Sequence, residues 1–78
     1  WESEWYVRAR GEIDENIILR LGSQGSEVRE LQKIINEYSI EHWGGDALAE
    51  DGDFGDITKT ALYGMTGRYE ATLKEVGY

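Results

Sequence analysis

The chain has 78 residues, a formal net charge of −8, no cysteine and a single histidine, His42. A chain this short forms one small domain and buries only about 60% of the surface that its unfolded form exposes. The lack of cysteine excludes disulfides and thiolate metal sites, and one histidine excludes a multi-histidine metal centre.

The acidic balance argues against two classes of partner, nucleic acid and anionic membranes. Affinity for nucleic acid depends on clustered Lys and Arg, but the eight basic residues are scattered among acids. The same charge disfavours anionic membranes. No apolar run approaches the roughly 20 residues of a membrane span. The sequence shows no signal-peptide pattern and begins with Trp1 rather than Met, so we expect a processed or trimmed chain.

The N-terminal segment, residues 1–16, has the composition of an extended arm or one half of a β-hairpin. Trp5, Tyr6 and Val7 are strand-prone, and a second β-branched run follows in "IILRL", residues 17–21. Because a lone hairpin is marginal in water, the segment requires a surface to pack on. One hypothesis is that Trp5, Tyr6 and Val7 add as a strand to a neighbouring chain.

The first helix is predicted over residues 27–38. Ser26 is a suitable N-cap, and Glu27 and Glu30 place negative charge in the first turn. Gln32 is predicted to lie beside the apolar face rather than on it. That face recurs at three- and four-residue steps through Val28, Leu31, Ile34, Ile35 and Tyr38.

The segment after this helix is predicted to be a loop. Gly44 and Gly45 break the helix, so Trp43 falls in the loop and His42 at the surface. The following "DALA" is predicted to form a short helical turn that points Leu48 inward.

The acidic stretch "EDGDFGDITKTAL", residues 50–62, does not fit the two common ion-binding loops. A calcium loop that starts at Asp51 has a suitable Asp53 at its third position, but Leu62 stands where the twelfth requires Glu. A phosphate loop needs Lys and Ser or Thr after its last glycine, whereas Gly55 precedes Asp56.

A structural turn fits the same stretch. Gly52 permits a positive φ, and Asp51 can accept backbone N–H groups within the turn. Gly55 or Asp56 then caps a second helix, residues 56–66. Phe54, the only Phe in the chain, is predicted to fold back between the two helices. The second helix shows one face made of Thr58, Ala61, Leu62 and Met65.

Two motifs in the right order resemble the peptidoglycan-binding domain family, a small three-helix module. "LRLGSQGSEVRELQKIIN" matches the family pattern L-x-x-G-x-x-G-x-x-V-x-x-L-Q, and "DGDFGDITKTAL" matches D-G-x-F-G-x-x-T. The resemblance covers about residues 19–67. The matching positions are Leu19, Gly22, Gly25, Val28, Leu31 and Gln32, then Asp51, Gly52, Phe54, Gly55, Thr58, Ala61 and Leu62.

The chain departs from the family at one point after the second motif, where Met65-Thr66 replaces a Phe-Gln pair. Met can fill the same core volume, whereas the missing Gln bears on a ligand groove. The tail "RYEATLKEVGY" is predicted to form a short final helix that Gly77 ends. The expected fold is therefore mainly α: a three-helix domain over residues 17–78, with the arm or hairpin before it.

The resemblance implies a non-catalytic module that binds cell-wall peptidoglycan in an extracellular, periplasmic or wall-associated setting, without metal or cofactor. Neither a Ser-His-Asp nor a Cys-His set can be assembled convincingly from one His and no Cys. Flat aromatic faces and a carboxylate are candidate contacts for the glycan or its stem peptide: Trp43, Tyr63, Tyr38 and Asp53. The alternative is an assembly domain of an extracellular polymer or phage particle, self-associating through its N-terminal arm.

Overall fold

The computed structural model describes residues 13–45 and 47–78. This part of the chain is mainly helical, and it contains two α-helices, α1 (Ser26–His42) and α2 (Asp56–Thr66). A three-residue 3-10 helix, Lys74–Val76, follows near the C-terminus. No β-strand forms within the described residues, where β-type pairing is limited to two isolated bridges, Leu19 with Ala71 and Gln24 with Asp53.

The C-terminal tail differs from the predicted final helix. Gly67 ends α2 in a left-handed conformation at φ 78°, and the chain then pairs Ala71 with Leu19 through two backbone hydrogen bonds of 2.9 and 3.1 Å. This pairing is incompatible with a helix through Ala71, and only the short 3-10 helix forms after Leu73. The described residues therefore form two helices and a 3-10 turn, rather than a three-helix bundle.

Helix α1 is longer than predicted and begins differently. Gly25 is its N-cap, at φ 121°, with no side-chain cap, so the prediction that Ser26 caps the helix is wrong. The carbonyl of Gly25 accepts the Arg29 N–H (3.2 Å), which makes Ser26 the first helical residue. The helix continues to His42 and ends at Trp43, whose N–H donates to the Ser39 carbonyl.

Helix α2 has the predicted bounds, and Gly55 is its N-cap in an extended conformation. It buries Thr58, Ala61 and Leu62, which confirms three positions of the predicted face, while Met65 is partly buried. Phe54 is only 2% exposed, so the prediction of a buried Phe within the acidic turn is confirmed. The core consists of Leu19, Val28, Leu31, Ile35, Phe54, Ala61, Leu62, Ala71 and Leu73.

Two glycine turns that are distant in sequence are joined through their backbones. The Gly25 N–H donates to the Gly52 carbonyl (3.0 Å), and Phe54 and Ser23 are linked by a bond of 2.9 Å. Gly52 has φ 79°, as predicted, and a Cβ there would lie 3.1 Å from the Gly25 carbonyl oxygen. This close approach requires glycine, and it fixes the start of α2 against the start of α1.

Residues Trp5, Tyr6 and Val7 lie outside the described residues. The run at 17–21 is not a strand: Leu19 alone is buried and paired, whereas Ile18 is 51% exposed. Ile13 packs against the core, and the Asp14 N–H donates to the Glu27 carboxylate at 3.1 Å. No helix in the described residues is long and apolar enough to cross a membrane.

Candidate functional site

Three buried polar side chains on α1 hold the loop that connects the two helices. Gln32, Asn36 and Ser39 are each at most 3% exposed, and their spacing of four and three residues places them on one face of the helix. We call them the polar stripe. They adjoin the apolar face formed by Val28, Leu31 and Ile35, so the loop is fastened beside the core.

Gln32 binds the turn that precedes α2. Its Oε1 accepts the Gly52 N–H (2.8 Å), and its Nε2 lies 3.0 Å from the Asp53 carbonyl. The same Nε2 is within 3.1 Å of Asp51 Oδ1 and of Thr58 Oγ1. Gln32 therefore lies beside the apolar face, as predicted, but its burial was not predicted. Its amide satisfies backbone groups that the turn would otherwise leave buried and unpaired.

Asn36 and Ser39 fasten the rest of the loop. Asn36 Oδ1 accepts the N–H groups of Ala47 (2.9 Å) and Leu48 (3.2 Å), and its Nδ2 donates to the Leu48 carbonyl (2.8 Å). The Ser39 hydroxyl donates to the Gly45 carbonyl. These bonds replace the predicted helical turn near Leu48, which does not form in the described residues of this loop, although Leu48 does pack against the core.

Trp43 begins this loop directly after the last turn of α1. Its indole lies against Gly64 of α2, where a Cβ atom would come within 3.0 Å of two ring carbons. Tyr38 contacts the indole edge-on, with ring centroids 5.4 Å apart. Trp43 is nonetheless 48% exposed, so it is held on both sides and still presents a large apolar surface to solvent.

A groove opens beside this indole, and we call it the Trp43 groove. It has a volume of about 530 Å³. Ala61 contributes only a methyl group to the lining and Gly64 no side chain, while Asp56 and Thr60 contribute the polar groups. Its lining residues are Trp43, Ala47, Asp56, Ile57, Thr60, Ala61 and Gly64.

A second groove of about 360 Å³ adjoins the first, and Asp56 and Ile57 line both. Asp53 lies here, so the structure places this predicted contact in the adjoining groove and not in the Trp43 groove. Asp51 also lines it, and the pKa of its carboxyl is lowered, first by the Asp53 N–H and second by the Gln32 amide. The remaining lining residues are Gln32, Leu48, Ala49, Gly55 and Thr58.

The two predicted tyrosine contacts lie apart from both grooves. Tyr63 is stacked on Tyr69 with centroids 4.7 Å apart, and Lys59 Nζ lies 5.3 Å from the centre of the Tyr69 ring. Tyr38 is stacked on His42, with ring centroids 4.0 Å apart, and it also contacts the edge of the Trp43 indole. His42 is exposed, as predicted.

The acidic residues near the grooves do not make a metal centre. Within residues 13–45 and 47–78, no group of three or more His, Cys, Asp or Glu side chains is arranged to hold a metal ion. The grooves instead combine an apolar surface with carboxylates at its edge, an arrangement suited to an organic ligand.

The sequence signal for Trp43 was its position beside two glycines. No role was predicted for Asn36, Ser39, Ile57 or Gly64. The spacing of Gln32, Asn36 and Ser39 places them on one side of a helix, but it does not indicate whether that side is buried.

No protein-family model matches this chain, no curated protein is significantly similar to it, and no solved structure matches its fold.

Proposed function

We propose that this domain is a non-catalytic binding module for bacterial cell-wall peptidoglycan, and that the Trp43 groove is its ligand site. The observation that carries the proposal is the half-exposed indole of Trp43, fixed between Tyr38 and Gly64 at the edge of a groove. The two sequence motifs that resemble peptidoglycan-binding domains support the same function.

The chemistry of the groove suits an N-acetylated amino sugar. One face of a sugar ring is apolar and stacks on an indole, and an acetyl methyl group fits a concave surface lined by small side chains such as Ala61 and Gly64. The Asp56 carboxylate can accept an amide or hydroxyl proton, and the Thr60 hydroxyl can donate or accept one.

The adjoining groove extends the proposed site. A longer glycan or a stem peptide that leaves the Trp43 groove past Ile57 would contact Asp53 next. Tyr38 would act only through its support of Trp43. Tyr63 would contact the ligand only if the ligand reached around α2, so it ranks below Trp43 and Asp53. A wall ligand places the protein outside the cytoplasmic membrane, in an extracellular, periplasmic or wall-associated setting.

Co-sedimentation with purified sacculi tests the proposal. Wild-type protein is expected to pellet with the sacculi, and Trp43→Ala is expected to remain in the supernatant. Tyr78→Ala is the matched control, because the Trp43 and Tyr78 side chains are 48% and 52% exposed but Tyr78 lines neither groove. Circular dichroism of each variant confirms that it is folded.

The result that would overturn wall binding is a wild-type protein that stays soluble with sacculi under all conditions. Pelleting that Trp43→Ala leaves unchanged would instead reject the Trp43 groove as the site. In that case a loss of pelleting in Tyr63→Ala or in Asp53→Asn would identify the alternative contact.

A further inference from the structure

We propose that the Trp43 groove also receives residues 5–10 of a second copy of this chain, "WYVRAR", so that the protein forms a reversible homodimer. The dimer uses the same groove as the proposed wall ligand, but it also requires residues 5–10, which wall binding does not use. The inference is carried by the apolar surface and charge of the grooves and by the composition of that segment.

The apolar border of the groove matches the apolar half of the N-terminal segment. Trp43 and Ile57 border the groove and are 48% and 68% exposed, which is a large apolar surface for so small a domain. Within residues 1–12, the longest run of large apolar side chains is Trp5, Tyr6 and Val7. An indole or phenol ring is the type of anchor that most often fills such a groove in protein–protein contacts.

The charges match as well. Residues 5–10 contain Arg8 and Arg10 and no acid, so the segment is basic in a chain whose net charge is −8. Asp56 lines the Trp43 groove, and Asp51 and Asp53 line the groove that adjoins it. With the apolar residues beside Trp43, the arginines that follow would lie along these carboxylates, and opposite charges favour this one direction of docking.

The reach of the segment favours a second copy over the same chain. Asp14 is tied to Glu27 in the first turn of α1, whereas Trp43 follows its last turn. A 17-residue helix spans about 25 Å at 1.5 Å per residue. The seven residues from Val7 to Asp14 span at most about 25 Å when fully extended. Docking Val7 beside Trp43 of its own chain would require a fully extended segment. Trp5 is nine residues from Asp14, at most about 32 Å, so its docking would require a nearly straight segment. A second copy removes this requirement.

A symmetric exchange follows from this arrangement. If each copy places its segment in the groove of the other, the contact is made twice about a two-fold axis. A dimer built this way closes, and it does not continue into a fibre. Because the segment and a wall fragment would occupy the same groove, the dimer and the wall-bound monomer exclude each other.

The test is light scattering on the full chain across a concentration series. Variants exchange the charges of the N-terminal segment and of the groove. Wild type is expected to shift from monomer to dimer as concentration rises. The double variant Arg8→Glu, Arg10→Glu is expected to raise the dissociation constant by about tenfold or more. Combining it with Asp56→Lys is expected to recover part of this loss.

A second variant guards against a folding defect, because Asp56→Lys places a positive charge at a helix N-terminus. Ile57 is exposed, and a Glu side chain is favourable near the N-terminus of α2. Ile57→Glu is therefore expected to fold and to abolish dimerisation. Ile18→Lys is the matched control, since Ile18 is also exposed but lies outside the groove, and it is expected to dimerise like wild type.

Three results would overturn the inference: a monomer at all concentrations, dimerisation that Ile57→Glu leaves intact, or dimerisation that Ile18→Lys abolishes. A monomer whose Trp43 indole NMR signal moves when Arg8 and Arg10 are replaced would show that the segment docks within its own chain, which also rejects the second copy.

Discussion

The backbone N–H of Gly52 donates to the side-chain oxygen of Gln32 at 2.8 Å, and both groups are buried. This bond joins the middle of α1 to the turn before α2. It also explains why a polar residue occupies a position that is 1% exposed: the turn has backbone groups that no helix or sheet can satisfy.

We expect Gln32→Glu to destabilise the domain although it preserves the shape of the side chain. The carboxylate can still accept the Gly52 N–H, but it replaces a donor that faces the Asp53 carbonyl and Asp51 Oδ1. Removing one partner of a buried hydrogen bond costs about 1–3 kcal/mol, and more when a charge is involved. Urea unfolding measures the free energy, with Lys33→Gln on the exposed side of α1 as the control. Equal stability of Gln32→Glu and wild type would contradict the bonding described for Gln32.

Phe54→Ala is expected to lower the free energy of unfolding by about 3–5 kcal/mol, because it truncates a buried aromatic side chain in the core. This is a large share of the whole free energy of unfolding for a domain of this size. Ile57→Ala is the control, since Ile57 is 68% exposed. Thermal melting of both variants tests the difference, and a decrease of only a degree or two for Phe54→Ala would mean that the side chain is not in the core.

Gly52→Ala is expected to destabilise the domain more than Gly22→Ala. Both glycines have positive φ, 79° and 94°, so both substitutions incur backbone strain of about 1–2 kcal/mol. Only at Gly52 does the new Cβ meet a neighbour, the Gly25 carbonyl oxygen at 3.1 Å, whereas nothing lies within 4 Å at Gly22. Chemical denaturation of the pair isolates the cost of this contact. Equal losses would show that the two turns are free to move apart.

Acid is expected to remove the stabilising contribution of two carboxylates. The pKa of Asp51 is lowered by the Asp53 N–H and the Gln32 amide, and the pKa of Glu75 is lowered by the Thr72 N–H and by Arg68. A lowered folded-state pKa stabilises the native state above the unfolded value, about 3.9 for Asp and 4.3 for Glu. This contribution is lost as pH falls through the folded value. Carboxyl ¹³C NMR titration should give midpoints below those values, and Asp51→Asn should lose less stability than wild type on acidification.

Peptidoglycan binding, if it rests on the Trp43 groove, is expected to survive added salt. The chain is net acidic and peptidoglycan carries free carboxylates, so long-range electrostatics oppose association. At 0.1 M salt, charges more than about 10 Å apart are screened, and pelleting with sacculi should be unchanged or slightly increased. Strong pelleting that modest salt abolishes would point to a basic patch at Arg8, Arg10 and Arg20.

The sequence alone determined the local features of this protein. The spacing of Val28, Leu31 and Ile35 predicted the buried face of α1, because a helical repeat can be read without knowledge of partners. Gly52 and Phe54 were predicted for a similar reason. Glycine adopts a positive φ without the strain that other residues incur. A Phe beside an amphipathic helix is usually buried, because its large apolar ring is removed from water in the core.

Only the tertiary structure decided which distant parts of the chain are in contact. Whether Gln32 and Asn36 face solvent or a buried loop depends on where residues 47–53 run, and local periodicity carries no information about that path. The Trp43 groove likewise exists because Gly64, 21 positions away, has no side chain where the indole rests. The tail forms no α-helix because Ala71 pairs with Leu19, a long-range contact that overrides its helical pattern.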